Sequence, residues 1–472
     1  MNTNGKAKWR LLLWGVPVAV ALVAAWAAWQ WLSRPPAVTA DLRLPGADQP
    51  PGQEAPHPTR FPPGELKAGS GGPANLTGDW PGFRGPNHDG GSLYSSGLAD
   101  HWPEGGPRRL WTIAVGEGHA GAAVLGGRVY LMDYDRDAHR DAIRCLSLAD
   151  GREIWRYAYS VRIKRNHGMS RTVPAVTTNA VVTLGPKCHV ACLDPVTGRF
   201  RWGLDLVREF GATVPPWYAG QCPLIDGNRV ILAPGGPDAL LVAVDAATGT
   251  VCWKTPNPMG WTMSHSSILP LDLRGRREYV YCASGGVLGV DAADGRLLWS
   301  TDAWKISIAT VPTPVRLADD RLFLTGGYNA GSLVLELPEA GGAIQPRVAY
   351  RLTPDVFAAD QTTPVLYNGY LYGIRSRGEL TCLSPDGRVV WTSGAERRFG
   401  LGPLVIGDGK IYALADNGTL VMARATPDGC QVLGQARILE GPDAWGPLAL
   451  AGSRLIARDL THMVCLELGR EQ

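Results

Sequence analysis

Seven side chains able to hold a ligand stand just ahead of short β runs in this chain. They are His119, Arg171 at the end of "HGMSR", Trp217 and Gln221 within "PPWYAGQ", His265 in "SHSS", Gln361 and Trp445. Imidazole and guanidinium groups attract anions and indoles offer flat apolar faces, so this set is suited to binding. Proton abstraction or calcium binding would need carboxylates, and the sequence places no evident Asp or Glu among the seven. No C-x-x-C-H haem attachment run occurs; His189 follows Cys188, but no Cys stands three residues earlier. "DYDRDAH" (Asp133 to His139) opens like a calcium loop yet lacks the central Gly and the distant Glu, and reads as a charged hairpin tip. No metal site is expected. The seven form one polar, aromatic mouth only if the loops that carry them converge.

The repeats supply that convergence. "LSLADGREIW", "LDPVTGRFRW", "VDAATGTVCW", "VDAADGRLLW" and "LSPDGRVVW" are versions of one hairpin. In each, an Asp or Ser can bond forward to turn N–H groups, and Gly151, Gly198, Gly249, Gly295 or Gly387 supplies a positive φ. Trp155, Trp202, Trp253, Trp299 and Trp391 then share one place on a fourth strand, where each can dock against a neighbouring repeat. This use accounts for 17 Trp beside 7 Phe. Strand starts such as "VPAV", "CPLI", "TPVR", "TPVL", "GPLV" and "GPLA", with degenerate copies at Gly121 and Ser266, recur eight times, about 39 to 52 residues apart. Units of that length predict an all-β, eight-bladed propeller of four-stranded antiparallel blades. The last copy ends on its third strand, "MVCLEL", whereas "RRLWTIAV" (Arg108 to Val115) is a fourth strand without the other three. The N-terminal strand is therefore expected to complete the last blade and join the ring, with Trp111 as its docking residue. "FRGPNHDG", with Arg84, Asn87, His88 and Asp89, is expected to be a strap that crosses one face and positions that strand.

Residues 11–33 carry no formal charge, and about 23 residues of helix suffice to cross a bilayer. Lys6, Lys8 and Arg10 precede them and favour an inside N-terminus. We expect residues 1–10 to be cytoplasmic, 11–33 to be a transmembrane anchor rather than a cleaved signal peptide, 34–78 to be a disordered Pro/Gly-rich linker, and 79–472 to be the propeller. The propeller would then lie in the periplasm, held at a bacterial cytoplasmic membrane. Net charge is 46 − 43 = +3, without a clustered positive field outside the first ten residues, which argues against a nucleic-acid partner. The nine Cys do not read as a disulfide framework, because Cys145, Cys192, Cys382 and Cys465 take one equivalent place in four repeats.

The D-x-x-(T/D)-G-x-x-x-W hairpins resemble the tryptophan-docking repeats of pyrroloquinoline quinone (PQQ)-binding-like β-propellers, and "DWPGFRGPNHDG" (Asp79 to Gly90) looks like a lead-in found in that family. The family mixes quinoprotein dehydrogenases with a propeller lipoprotein of the outer-membrane barrel-assembly machinery. The resemblance therefore implies the fold without fixing an activity. The dehydrogenases have an adjacent Cys pair, whereas Cys188 and Cys192 here are four apart. The expected function is a non-catalytic, monomeric, membrane-anchored module that takes a protein partner or small ligand at its mouth, with no cofactor. A dehydrogenase using PQQ with calcium and a carbohydrate- or envelope-binding module are the alternatives.

Overall fold

Short apolar runs, a two-residue alternation and Gly-bearing turns every few residues favour antiparallel meanders over helices. The computed structural model describes residues 18, 20–30, 61–92, 97–318 and 320–470. The chain divides into Met1–Ala47 and Asp48–Gln472. Among the described residues of the second unit the strands assemble into eight blade sheets of a propeller and one two-stranded hairpin, Glu339–Ala340 with Ala343–Ile344. The innermost strands, in chain order, are Ala122–Leu125, Ala175–Val176, Leu224–Asp226, Leu269–Leu273, Val315–Arg316, Val365–Tyr367, Leu404–Gly407 and Ala449–Ala451. The fourth strand of the eighth blade is Arg108–Ala114, which pairs antiparallel with His462–Glu467. One short helix, Leu206–Phe210, departs from the all-β expectation; Asp205 caps its N-terminus and Gly211, at φ 68°, ends it.

Register explains the small residue of each repeat. Cys145, Cys192, Ala243, Gly289, Cys382 and Cys465 pair across the sheet with Trp155, Trp202, Trp253, Trp299, Trp391 and Trp111. The register shifts beside each pair, a bulge that adds twist at the outer strand. All nine cysteines are free and seven are buried. Four of the six indoles then bond to the next blade. Trp111 Nε1 donates to Leu148 O at 3.0 Å, Trp202 Nε1 to Ala246 O at 3.0 Å, Trp253 Nε1 to Ala292 O at 3.3 Å and Trp391 Nε1 to Thr426 O at 2.8 Å. The fifth blade substitutes Tyr350, whose hydroxyl donates to Pro385 O at 2.7 Å. Trp299 differs, turning to Glu278 of its own blade at 3.0 Å.

Three N-terminal features depart from expectation. The packed chain begins well before residue 79: Gly64–Ala68 adds a fifth strand to the outside of the first blade, and the Phe61 ring lies 4.9 Å from that of Tyr159 and 5.2 Å from that of Phe200. Apolar grooves between outer strands accept such a plug, and the Pro/Gly content of the segment hid it. The strap does more than cross a face. Trp80 bridges to Val124, Pro81 O accepts from Val176 N, and Gly91–Ser92 runs parallel to Ile406 and Gly407. It thereby fills one end of the hub, pinned by Arg84, whose guanidinium donates to Thr363 O, Pro364 O, His88 O and Asp89 O. Among the described residues no helix is long and apolar enough to cross a membrane; Val18 and Val20–Gln30 are helical, and the rest of the expected anchor over 11–33 lies outside the described residues.

Candidate functional site

Every inner strand starts at one end of the hub, because successive blades repeat the same direction. The strap contacts Val124, Val176 and Ile406 within these strands and, through Arg84, the carbonyls of Thr363 and Pro364 just ahead of the sixth, so the loop residues still further ahead of the strands lie toward the other, unstrapped end. These loops carry the sequence-predicted residues, in two groups.

The first group joins the first and last blades. His119 stacks on Trp445, with ring centroids 5.0 Å apart and planes 27° from parallel. His119 Nε2 lies 3.0 Å from His167 O, and Trp445 Nε1 donates to Asp416 Oδ1 at 2.7 Å. The second group spans the connections into blades two to four. Arg171 Nη2 donates to Asn166 O and, at 3.2 Å, to His167 O. Burial lowers its pKa to about 10. His265 is half-buried, with its ring 6.4 Å from that of Trp217. Burial first, then the Arg171 charge, hold its pKa down at about 4, so the imidazole is neutral at pH 7.

Two expected members do not join these groups. Gln221 is fully buried and clamps Ala233, accepting from its N at 2.9 Å and donating to its O at 3.4 Å. Gln361 stands exposed in the connection into the sixth blade. The expectation that carboxylates stay away also needs correcting. Asp416 lies in the loop between the second and third strands of its blade, which returns to the same end of the hub, and sequence reasoning had searched only ahead of first strands. Its Oδ1 is shared: besides Trp445, Leu401 N donates to it at 2.8 Å. Asp360, just ahead of the sixth inner strand, accepts from Ser376 Oγ at 2.7 Å.

Polar atoms without partners also gather here. Asn166 Oδ1, Ser170 Oγ, Arg171 Nη1, His265 Nε2 and Thr310 Oγ1 are buried and make no hydrogen bond among the described residues. Nothing in one sequence marks such atoms, since orphanhood is a property of the surroundings. Among the described residues no three of His, Cys, Asp or Glu come together to hold a metal ion. Asp133 of the calcium-like run accepts from Gly116 N at 2.7 Å, Tyr134 N at 2.9 Å and Arg144 Nη1 at 3.0 Å. A calcium–quinone pair needs clustered carboxylate ligands and a carboxylate base to abstract a proton. Beside the strap, a cavity of about 170 Å³ lies between Phe83, Arg84 and His88, the inner-strand residues Val176 and Ile225, and Thr313 just ahead of the fifth inner strand.

The chain resembles known proteins in the same terms. Residues 139–386 match the family described as outer membrane protein assembly factor BamB. The BamB of Moranella endobia (strain PCIT) is 23% identical over 289 residues, 58% of this chain and 69% of that protein. The crystal structure of BamB from Moraxella catarrhalis superposes with a TM-score of 0.54 at 14% identity, over 76% of this chain and 99% of that one. The computationally designed Ika8 protein gives 0.50 at 13% identity, over the same shares. At such identities the structures speak for the fold alone, but the family match takes in more than half of the chain, from the third strand of the first blade into the sixth. This chain belongs to the PQQ-like propeller repeat family described as outer membrane protein assembly factor BamB.

Proposed function

We propose that this protein is a non-catalytic binding propeller of the cell envelope, tethered through its N-terminal apolar run, that offers its unstrapped face to a partner. The observation that carries this reading is the use already made of the nearby carboxylates. Asp416 Oδ1 accepts from Trp445 and Leu401 and Asp360 Oδ1 from Ser376, so each is tied to its own neighbours, and among the described residues no three of His, Cys, Asp or Glu gather as calcium would require. The relatives named as outer membrane protein assembly factors support a scaffold serving other proteins. The uncharged run over residues 11–33 and the basic residues before it support the tether and an extracytoplasmic propeller.

The test is to add PQQ and calcium to the purified protein while following absorbance, melting temperature and dye-linked alcohol oxidation. A ligand that binds only the folded state at about 100 times its Kd stabilises by about 2.7 kcal/mol, an easily read shift. We expect no shift and no oxidation. A saturable rise in melting temperature together with alcohol-dependent dye reduction would overturn the reading. Tethering is checked separately: the chain should remain in the membrane pellet after alkaline extraction, and its release would remove that part.

A further inference from the structure

Two other buried guanidiniums show what this fold does when an arginine is purely structural. Arg84 donates to four carbonyls, Thr363, Pro364, His88 and Asp89, and Arg458 donates to Asp459, Ala120, Gly116 and Leu460. Neither leaves a nitrogen unsatisfied among the buried atoms. Arg171 is different. Its Nη2 is fixed by Asn166 O and His167 O, and among the described residues its Nη1 is buried with no partner and no carboxylate pairs with it. A buried donor left this way is costly, and Asn166, Ser170, His265 and Thr310 nearby also carry orphaned polar atoms. Asn166 Oδ1 is held facing away from its own Nδ2 contact with Pro216 O, and Thr310 belongs to the segment that accepts His265 N at 3.0 Å.

We propose that Asn166, Ser170, Arg171, Trp217, His265 and Thr310 form a binding site for a sugar acid, a pyranose bearing a carboxylate. The chemistry selects this class in three steps. A guanidinium without a counter-charge calls for an anion, and its planar edge matches a carboxylate. Asn166 Oδ1 is an acceptor, and so is His265 Nε2 in the neutral ring whose other nitrogen bonds the Tyr218 main chain. Sulfate offers acceptors only and leaves both unsatisfied, and hydrogen phosphate dianion has a single O–H to give, whereas sugar hydroxyls donate as well as accept at several positions and also match the Ser170 and Thr310 hydroxyls. Finally, the half-exposed Trp217 indole beside His265 gives a flat apolar plate for the C–H face of the ring. The inference rests on the reading of this face as a binding face, and it names the ligand.

The experiment is calorimetric titration of the full-length protein in detergent with sodium galacturonate and its trimer, with glucose, acetate and phosphate as controls at matched ionic strength. We expect the trimer to bind and each control to bind at least about tenfold more weakly, one unit of about 1.4 kcal/mol. Arg171→Met and Trp217→Ala should each lose about tenfold or more with an unchanged melting temperature. Thr310→Val, which removes one hydroxyl at nearly constant volume, should weaken binding several-fold and serves if Arg171→Met fails to fold. No heat from either acid up to about 50 mM, acetate or phosphate binding as well as the trimer, or trimer binding indifferent to Trp217→Ala and Thr310→Val would each overturn the site. A protein that ignores both PQQ and the sugar acids loses this site and keeps the non-catalytic reading; one that oxidises alcohols with PQQ loses the latter.

Discussion

Asp141 sits fully buried in the first blade, its carboxylate beside the Tyr159 hydroxyl and with no other hydrogen-bond partner among the described residues. A Cβ on Gly185 would come within 2.7 Å of both its Oδ2 and the Tyr159 hydroxyl, so the glycine is what leaves room for them. Burial raises the Asp141 pKa from 3.8 to about 8. The folded protein therefore keeps a proton that the unfolded chain releases near pH 4. Stability from this group is complete below the unfolded value and is lost as pH rises through about 8. At about 1.4 kcal/mol per unit, the loss between pH 5 and pH 8 is on the order of a few kcal/mol. Asp141→Asn should flatten the stability–pH profile in that window and be the more stable protein at pH 8. Urea denaturation at the two pH values checks this, and parallel profiles for variant and parent would refute it. The sequence "RDAIRCLSL" gives no hint of this, since an Asp at a strand start normally faces water.

The hairpin glycines show what one element must satisfy. Gly198 has φ 72°, and a Cβ there would stand 2.5 Å from Trp155 Cδ2, an indole delivered by the preceding blade. Gly227 has φ 61° with nothing within 4 Å of a Cβ. Gly227→Ala should cost only the backbone penalty of about 1 kcal/mol. Gly198→Ala adds displacement of a buried indole and should cost about 2–4 kcal/mol in all. Equal shifts in denaturation midpoint would show that the indole does not set the requirement. The turn and its Trp were legible because local backbone chemistry and burial both leave marks in the sequence. The strap was legible as a strap but its anchorage was not, since "FRGPNHDG" owes its place to carbonyls of Thr363 and Pro364, nearly 280 residues away. Phe61 and Gly64–Ala68 were hidden for the same reason: a groove on another element receives them.

At the scale of the molecule, the eighth blade is built from both sides of the chain. Trp111 is buried, bonded to Leu148 O of the first blade, and Arg108–Ala114 covers the edge of His462–Glu467. Removing residues 1–115 would open that edge and empty the indole pocket, where loss of a buried Trp alone costs about 3–5 kcal/mol. The shortened protein should melt well below the parent and aggregate, and a peptide of residues 108–115 added in trans should recover part of the loss. A shortened protein that melts like the parent would show that this strand does not hold the ring. Sequence periodicity alone determined the eight repeats, the hairpin that joins them and the strand that completes the last one, because each rests on turn geometry and on apolar residues at fixed spacing. Tertiary structure alone decided that the strap fills one end of the hub, that Gln221 is spent on the main chain, that Asp416 returns to the mouth, and that Arg171 keeps a nitrogen unpaired. Those outcomes depend on which distant groups meet across a closed ring, and a linear order of residues carries no record of whether a polar atom has found its partner.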